Sequence, residues 1–280
     1  MSQLRRQVDQ IDRKILRLLQ QRTKLSERIG KAKRRHGAVV YVPDRESKLI
    51  AHVRRLSRMK ISPRAVTAIY REILSGSRAA QGQQPIGLLQ ASGDAVLLPA
   101  RWCFGACDDF LPKKTWNELA RGLESGALAL ALLTGEDLVN MLQAPRIRGQ
   151  FFGEFAVVGD FSSAPGSKIP LARRIFIVTP RGKGAAAQAN RLLILIECKS
   201  TVNAVKSLLN FMPDRSIHAE QLAPRAKPAQ GRTVWGLAYL SLAHPVPGIH
   251  MTGQLLAARQ STGVPISILG VYPGTEEYDG

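Results

Sequence analysis

Hydrophobic residues at the start of the chain recur at alternating spacings of four and three: Leu4, Val8, Ile11, Ile15 and Leu18. This is the seam of a long packing helix, read over residues 4–35. The seam then changes character. Its next slot is Arg22, followed by Leu25 and Ile29, and the slot after those is Lys33. Burying a lone guanidinium or ammonium is costly unless an anion meets it. No Asp or Glu occupies a seam slot, so the missing anion is assigned to a ligand. The competing explanation is a cation that snorkels at a helix end or pairs across a dimer.

A second helix is expected from about Asp44, with Leu49, Val53 and Leu56 inward and Arg45 one turn before Leu49 on the same face. A third starts at Ser62-Pro63, an N-cap followed by Pro at the first helical position. Its stripe runs Val66, Ile69, Tyr70, Ile73 and Leu74, then turns polar at Ser77 and Gln81 without changing phase. All three helices place polar groups where a core is expected, which implies a pocket enclosed by helices.

Beyond them, Gly82-Gln83-Gln84-Pro85 reads as a linker. Short elements follow: β runs at Ile86–Leu89 and Ala95–Leu98, a helix at Thr115–Ser125 and a strand at Leu128–Leu133. A helix at Gly135–Leu142 and β runs at Phe151–Val158 and Ile175–Val178 complete an α/β unit. The last hundred residues read as strand Leu192–Cys198, helix Val202–Phe211, strands Ser216–Leu222 and Thr233–Leu242, helix Met251–Gln260 and strand Pro265–Val271. A βαββαβ order is ferredoxin-like. The expected organisation is therefore multidomain, α plus α/β: residues 1–84 all-helical, 85–180 α/β, and 185–280 ferredoxin-like.

The chain carries 40 Lys+Arg against 21 Asp+Glu. Residues 1–81 hold 21 and 6 of these, so the excess belongs almost wholly to the helical module. Such a bias raises nucleic acid or a membrane surface as partners. The cations are spread around every helical face with few aromatics between them, so steering of an anionic small molecule is the simpler reading. Cys103, Cys107 and Cys198 make no disulfide framework and suit a reducing compartment, with no metal site expected. No apolar run approaches a membrane span, and a cytoplasmic protein is expected. Arg181-Gly182-Lys183-Gly184 reads as a linker rather than a phosphate cradle.

The stretch Leu4–Gln81 resembles the all-helical chorismate mutase family, especially the mutase module that begins bacterial bifunctional P-proteins. The matching text is Leu4-Arg5, Ile11-Asp12, Gln21-Arg22, Gly30-Lys31-Ala32-Lys33, Pro43-Asp44-Arg45-Glu46, and Ile73-Leu74-Ser75-Gly76-Ser77 with Gln81. The resemblance implies a three-helix module in an intertwined homodimer, with chorismate as substrate, prephenate as product and no cofactor. Arg5 looks like the arginine that crosses into the partner's site, and Arg22 like the carboxylate-binding arginine. Lys33 matches the contact to the ether oxygen and a carboxylate, and Gln81 the group on the other side of that ether. Arg45 and Glu46 match the pair that supports the lysine and holds the ring hydroxyl, and Ser77 a contact near the ring carboxylate. Val42 stands where some members have an Asp that helps place the hydroxyl. Lys33, Gln81 and Arg22 are the expected catalytic residues.

In P-proteins a prephenate dehydratase domain and an ACT domain follow. Ile268-Leu269-Gly270-Val271-Tyr272-Pro273 is similar to the end of those ACT domains. The dehydratase Thr-Arg-Phe signature would fall at Arg174-Ile175-Phe176, without the threonine. The Glu-Ser-Arg-Pro effector motif is absent near Glu220–Arg225. The expectation is an active mutase with a degenerate, noncatalytic dehydratase-like and ACT-like half. The alternatives are a working mutase–dehydratase, or a tail that binds an effector or docks another shikimate-pathway enzyme.

Overall fold

A computed structural model describes residues 2–38, 40–57, 61–162, 170–183, 188–198, 218–222 and 234–273 of the 280-residue chain. Helix α1 spans Ser2–Arg35, α2 Pro43–Leu56 and α3 Pro63–Ala80. Pro43 and Pro63 each sit in the first turn, where the missing N–H costs nothing. The Ser62 side chain accepts from Ala65 N, closing the N-terminus of α3 as its sequence foretells.

Among the described residues, only the C-terminal half of α1 packs within the chain. Ser26 and Gly30 are its buried residues. Leu4, Val8, Ile11, Ile15 and Leu18 remain between 48% and 63% exposed. The close approach of α1 to the end of α3 needs Gly30: a Cβ there would lie 2.6 Å from Gln81 Cα and 2.6 Å from its carbonyl oxygen.

The α/β unit follows: β1 Ile86–Leu89, α4 Gly93–Phe104, β2 Phe110–Lys113, α5 Trp116–Glu124, β3 Leu130–Thr134. It continues with α6 Gly135–Met141, α7 Pro145–Glu154, β4 Phe155–Phe161 and β5 Ile175–Pro180. The strands form one sheet in the order β2-β1-β3-β5-β4. Strand β1 is parallel to β2 and β3, whose crossovers are α4 and α5, while β5 runs antiparallel to β3 and β4.

A second sheet is built from β6 Gln188–Cys198, β7 His218–Leu222, β8 Val234–Pro247 and β9 Ile266–Tyr272. Helix α8, Gly248–Thr262, lies between the last two. The order is β7-β8-β6-β9, and every pair is antiparallel. One face meets α8 through Leu192, Ile194, Ile196, Met251 and Leu255. The other joins the α/β unit: Leu193, Leu195, Leu237, Leu269 and Tyr272 share an apolar cluster with Trp116, Phe151, Phe155 and Val157. The helix expected at Val202–Phe211 lies outside the described residues.

Three expectations about elements are corrected. Ala95–Leu98 is not a β run but part of α4, with Val96 and Ala100 buried one turn apart; a short apolar run does not distinguish the two. Phe151 to Glu154 belong to α7, and the strand expected from Phe151 begins only at Phe155. Strand β2 was not anticipated, because it is a half-exposed edge strand interrupted by Pro112.

Candidate active site

The packed half of α1, the start of α2 and the end of α3 enclose a cavity of about 230 Å³. Of the residues singled out from sequence, Arg22, Lys33, Val42, Arg45, Glu46, Ser77 and Gln81 all line it. Leu25, Ile29, Leu49 and Leu74 supply its apolar walls. Arg5 is not among them. It lies 17 residues before Arg22 on a continuous helix, about 26 Å along the axis, and cannot reach the cavity of its own chain.

Arg22, Lys33, Ser77 and Gln81 are each held by hydrogen bonds. Arg22 donates through Nη1 to the Ile73 carbonyl at 3.2 Å and to Ser77 Oγ, so α1 and α3 are cross-linked at the cavity floor. Ser77 Oγ in turn donates to the Ile73 carbonyl at 2.6 Å. Lys33 donates through Nζ to the Val40 carbonyl at 2.8 Å, leaving two ammonium N–H groups. Gln81 caps α3, and its Nε2 donates to the Ser77 carbonyl at 3.0 Å. Its Oε1 is buried without a hydrogen-bond partner among the described residues. The Val42 side chain is apolar, and among the described residues Glu46 is the sole carboxylate lining the cavity.

Sequence reasoning missed Arg78, which also lines the cavity. Its guanidinium donates through Nη1 to Glu46 Oε2 at 2.5 Å. Its other edge meets Asp108, Nη2 to Oδ2 at 2.8 Å and Nε to Oδ1 at 3.3 Å. Nη2 also donates to the Phe104 carbonyl, and the Tyr41 and Phe104 rings lie 5.7 Å from the guanidinium carbon. Asp108 belongs to the loop between α4 and β2. It further accepts from Ser75 Oγ at 2.7 Å and Gln83 Nε2 at 2.7 Å. Gly105 permits this docking: its φ is +98°, and a Cβ there would lie 2.6 Å from that of Ser75.

Burial shapes the titration of the cavity. It lowers Lys33 below the ordinary lysine value, helped by the nearby Arg45 charge and opposed by Glu46. Arg22 is likewise lowered by burial, with Tyr70 and Glu46 opposing. Burial raises Glu46 above the ordinary glutamate value; Arg78 opposes the shift and Asp108 adds to it. For Arg78 itself burial works against the charge, but Glu46 and Asp108 outweigh it and its pKa is raised.

Elsewhere, Arg174 pairs with Asp160, which also accepts from Arg191 Nη1 at 2.8 and 3.0 Å. All three side chains are buried. This cluster ties β4 and the start of β5 to β6. Cys103 is partly buried, and desolvation pushes its thiol up to about 11. Among the described residues no His, Cys, Asp or Glu group could hold a metal ion, and no helix is long and apolar enough to cross a membrane.

The helical module is thus a three-helix cage that converges four cations and one carboxylate on a small cavity, a charge balance suited to an anion. Residues 4–82 match the family described as Chorismate mutase type II. Over 123 residues the chain is 31% identical to a bifunctional chorismate mutase/prephenate dehydratase of Aquifex aeolicus, covering 42% of this chain and 34% of that protein. A Pseudomonas aeruginosa protein of the same description is 24% identical over 139 residues, 48% of this chain and 38% of its own. The matches thus span little more than a third of these relatives' length. The solved structure of a prephenate dehydratase from Streptococcus mutans aligns with a TM-score of 0.44 and 16% identity, covering 68% of this chain and 97% of that one.

Proposed function

We propose that the helical module is a chorismate mutase acting in aromatic amino-acid biosynthesis. The observation that carries this reading is the convergence of Arg22, Lys33, Arg45, Glu46, Ser77 and Gln81 on one cavity. Chorismate to prephenate is a pericyclic rearrangement, so no nucleophile, metal or proton relay is required of the protein. It must hold a dicarboxylate in a compact chair and stabilise negative charge as the ether C–O bond breaks. Arg22, cross-linked to Ser77, takes a carboxylate. Lys33, with two N–H groups to spare, and the amide of Gln81 donate to the ether oxygen. Glu46 accepts the ring hydroxyl through the oxygen not taken by Arg78, since the Val42 side chain has no acceptor. Arg45 helps hold Lys33 and Glu46 in place.

The site is completed in a homodimer. The exposed seam Leu4, Val8, Ile11, Ile15 and Leu18 needs a cover, and a second copy of α1 supplies one of matching length. That arrangement would bring Arg5 of one chain into the cavity of the other. The C-terminal sheet is read as a ferredoxin-like, ACT-like unit. Its order β7-β8-β6-β9 and the helix between β8 and β9 support the reading.

Dehydratase chemistry is not expected of this chain. Arg174, where the resemblance would align the catalytic threonine, is a permanent cation engaged with Asp160 and cannot act as a general acid. The bifunctional names of the relatives keep the alternative on the table, and one experiment separates them. Purified protein given chorismate at neutral pH should accumulate prephenate with no phenylpyruvate above the spontaneous background. Enzyme-dependent phenylpyruvate would establish the bifunctional reading, and unchanged chorismate would refute the mutase.

A further inference from the structure

Every residue assigned to the reaction lies before the linker, yet the cavity is completed from behind by a residue of the α/β unit. The guanidinium of Arg78 is a flat fork with two usable edges. Asp108 occupies one edge through Nε and Nη2, and the remaining donor, Nη1, points at Glu46 Oε2. Asp108 is itself fixed by Ser75 and Gln83, and its loop is locked on α3 by Cys107 N to Ser75 Oγ at 3.0 Å and Ala106 N to Glu72 Oε2 at 3.0 Å. Two carboxylates therefore share one buried cation across the boundary between modules.

We infer that Asp108 is a positioning residue for the mutase site, orienting Arg78 so that it engages Glu46 through one oxygen and leaves the other to accept the substrate's ring hydroxyl. The inference rests on the mutase reading and extends it: the α/β unit is an electrostatic part of the helical active site, and its docking on α3 controls substrate binding there. Without Asp108 the fork is no longer pinned. Glu46 then becomes the only counter-ion of a buried cation and is drawn fully onto it, which weakens it as a hydroxyl acceptor.

The test uses the full chain. Asp108→Asn should lower kcat/KM for chorismate about tenfold or more, the scale of a charge-assisted hydrogen bond, and mainly through KM, because the hydroxyl contact exists in ground and transition states alike. Asp108→Glu should restore part of the loss. In an Arg78→Met background, Asp108→Asn should add less than about twofold, since its route to the site is already cut. If Arg78→Met does not fold, Arg78→Lys, which keeps the charge but cannot span both carboxylates, replaces it.

The pH profile separates positioning from general loosening. Glu46 is faced by Lys33 and Arg22 from α1, Arg45 from its own helix, Arg78 from α3 and Asp108 from the loop. Removing the Asp108 charge should move the acid limb of kcat/KM to lower pH, and removing Arg78 should move it to higher pH. A loosened fold that merely hydrates Glu46 would lower it in both variants. NMR titration of the Glu46 carboxyl reads the same opposed shifts without requiring turnover. A parent protein inert toward chorismate therefore refutes the function while leaving the coupling measurable. An Asp108→Asn variant indistinguishable from the parent, losses that multiply in the double variant, or shifts of one sign in both variants would overturn the inference.

Discussion

Gly30→Ala tests whether the cavity is set by the spacing of α1 and α3. An added Cβ would lie 2.6 Å from both Gln81 Cα and the Gln81 carbonyl oxygen, where ordinary contact begins at 3.4 Å. Backbone cannot swing aside as a side chain can, so the helices must part by about 0.8 Å at this level. Alanine gains about 0.5–1 kcal/mol of helix propensity over glycine, while overpacking costs about 1–3 kcal/mol. Stability should therefore fall by only about 1 kcal/mol. Catalysis should suffer more. Lys33 lies one turn from Gly30 on α1, Gln81 stands on the opposing element, and both must reach one ether oxygen. A displacement approaching 1 Å is worth up to about a hundredfold in rate, so kcat should drop by roughly thirtyfold to a hundredfold. The assay is chorismate turnover with prephenate resolved by chromatography, alongside calorimetric Tm. Gly76→Ala is the control, because a Cβ there meets nothing within 4 Å; it should keep kcat and gain stability. A Gly30→Ala protein as active as the parent and more stable would refute the argument that this contact sets the geometry.

Lys33→Ala should lower kcat by at least about a hundredfold, the scale of one transition-state donor, without loss of folding; unchanged kcat would remove Lys33 from the mechanism. Gln81→Glu should retain activity mainly at acid pH, where the carboxyl can still donate, and a flat profile would count against Gln81 as donor. In the parent, kcat/KM should need Glu46 ionised and Lys33 protonated. Burial raises the first and lowers the second, so the acid limb should lie above the ordinary glutamate value and the alkaline limb below the ordinary lysine value. Co-refolding Arg5→Ala with Arg45→Ala chains should restore activity, since one site of the mixed dimer is intact; absence of rescue would place each site within one chain.

How much of this was legible in the sequence follows from helix phase. Arg22, Lys33, Ser77 and Gln81 could be found because they interrupt apolar stripes, and a polar residue in an apolar phase calls for a partner. Arg78 could not. It belongs with Thr67, Arg71 and Ser75 to a second buried face of α3, at spacings of four, four and three, that is polar throughout. Such a stripe reads as solvent-exposed, and only its burial against α4 and the following loop reveals it. Arg71 lies with its guanidinium carbon 3.8 Å from the Trp102 ring centroid, and Ser75 bonds Asp108. Conversely, Ile69 on α3 and Leu56 at the end of α2 read as inward yet are 51% and 67% exposed. In the tail, the central strand β3 is legible as an unbroken apolar run, whereas the edge strand β2 is hidden by Pro112.

Two-sided burial of α3 also accounts for the charge of the site. The cavity is lined by Arg22, Lys33, Arg45 and Arg78 against Glu46 alone, a surplus that would be expensive to enclose without counter-charge. On the proposed function a chorismate dianion would answer part of it, but the buried guanidinium of Arg78 needs its anions at all times. Glu46 is one, and Asp108 is the other, delivered from the α/β unit. A strongly basic helical module can thus keep an electropositive pocket because the domain behind it supplies a counter-charge to Arg78, the most deeply buried of the cavity's cations.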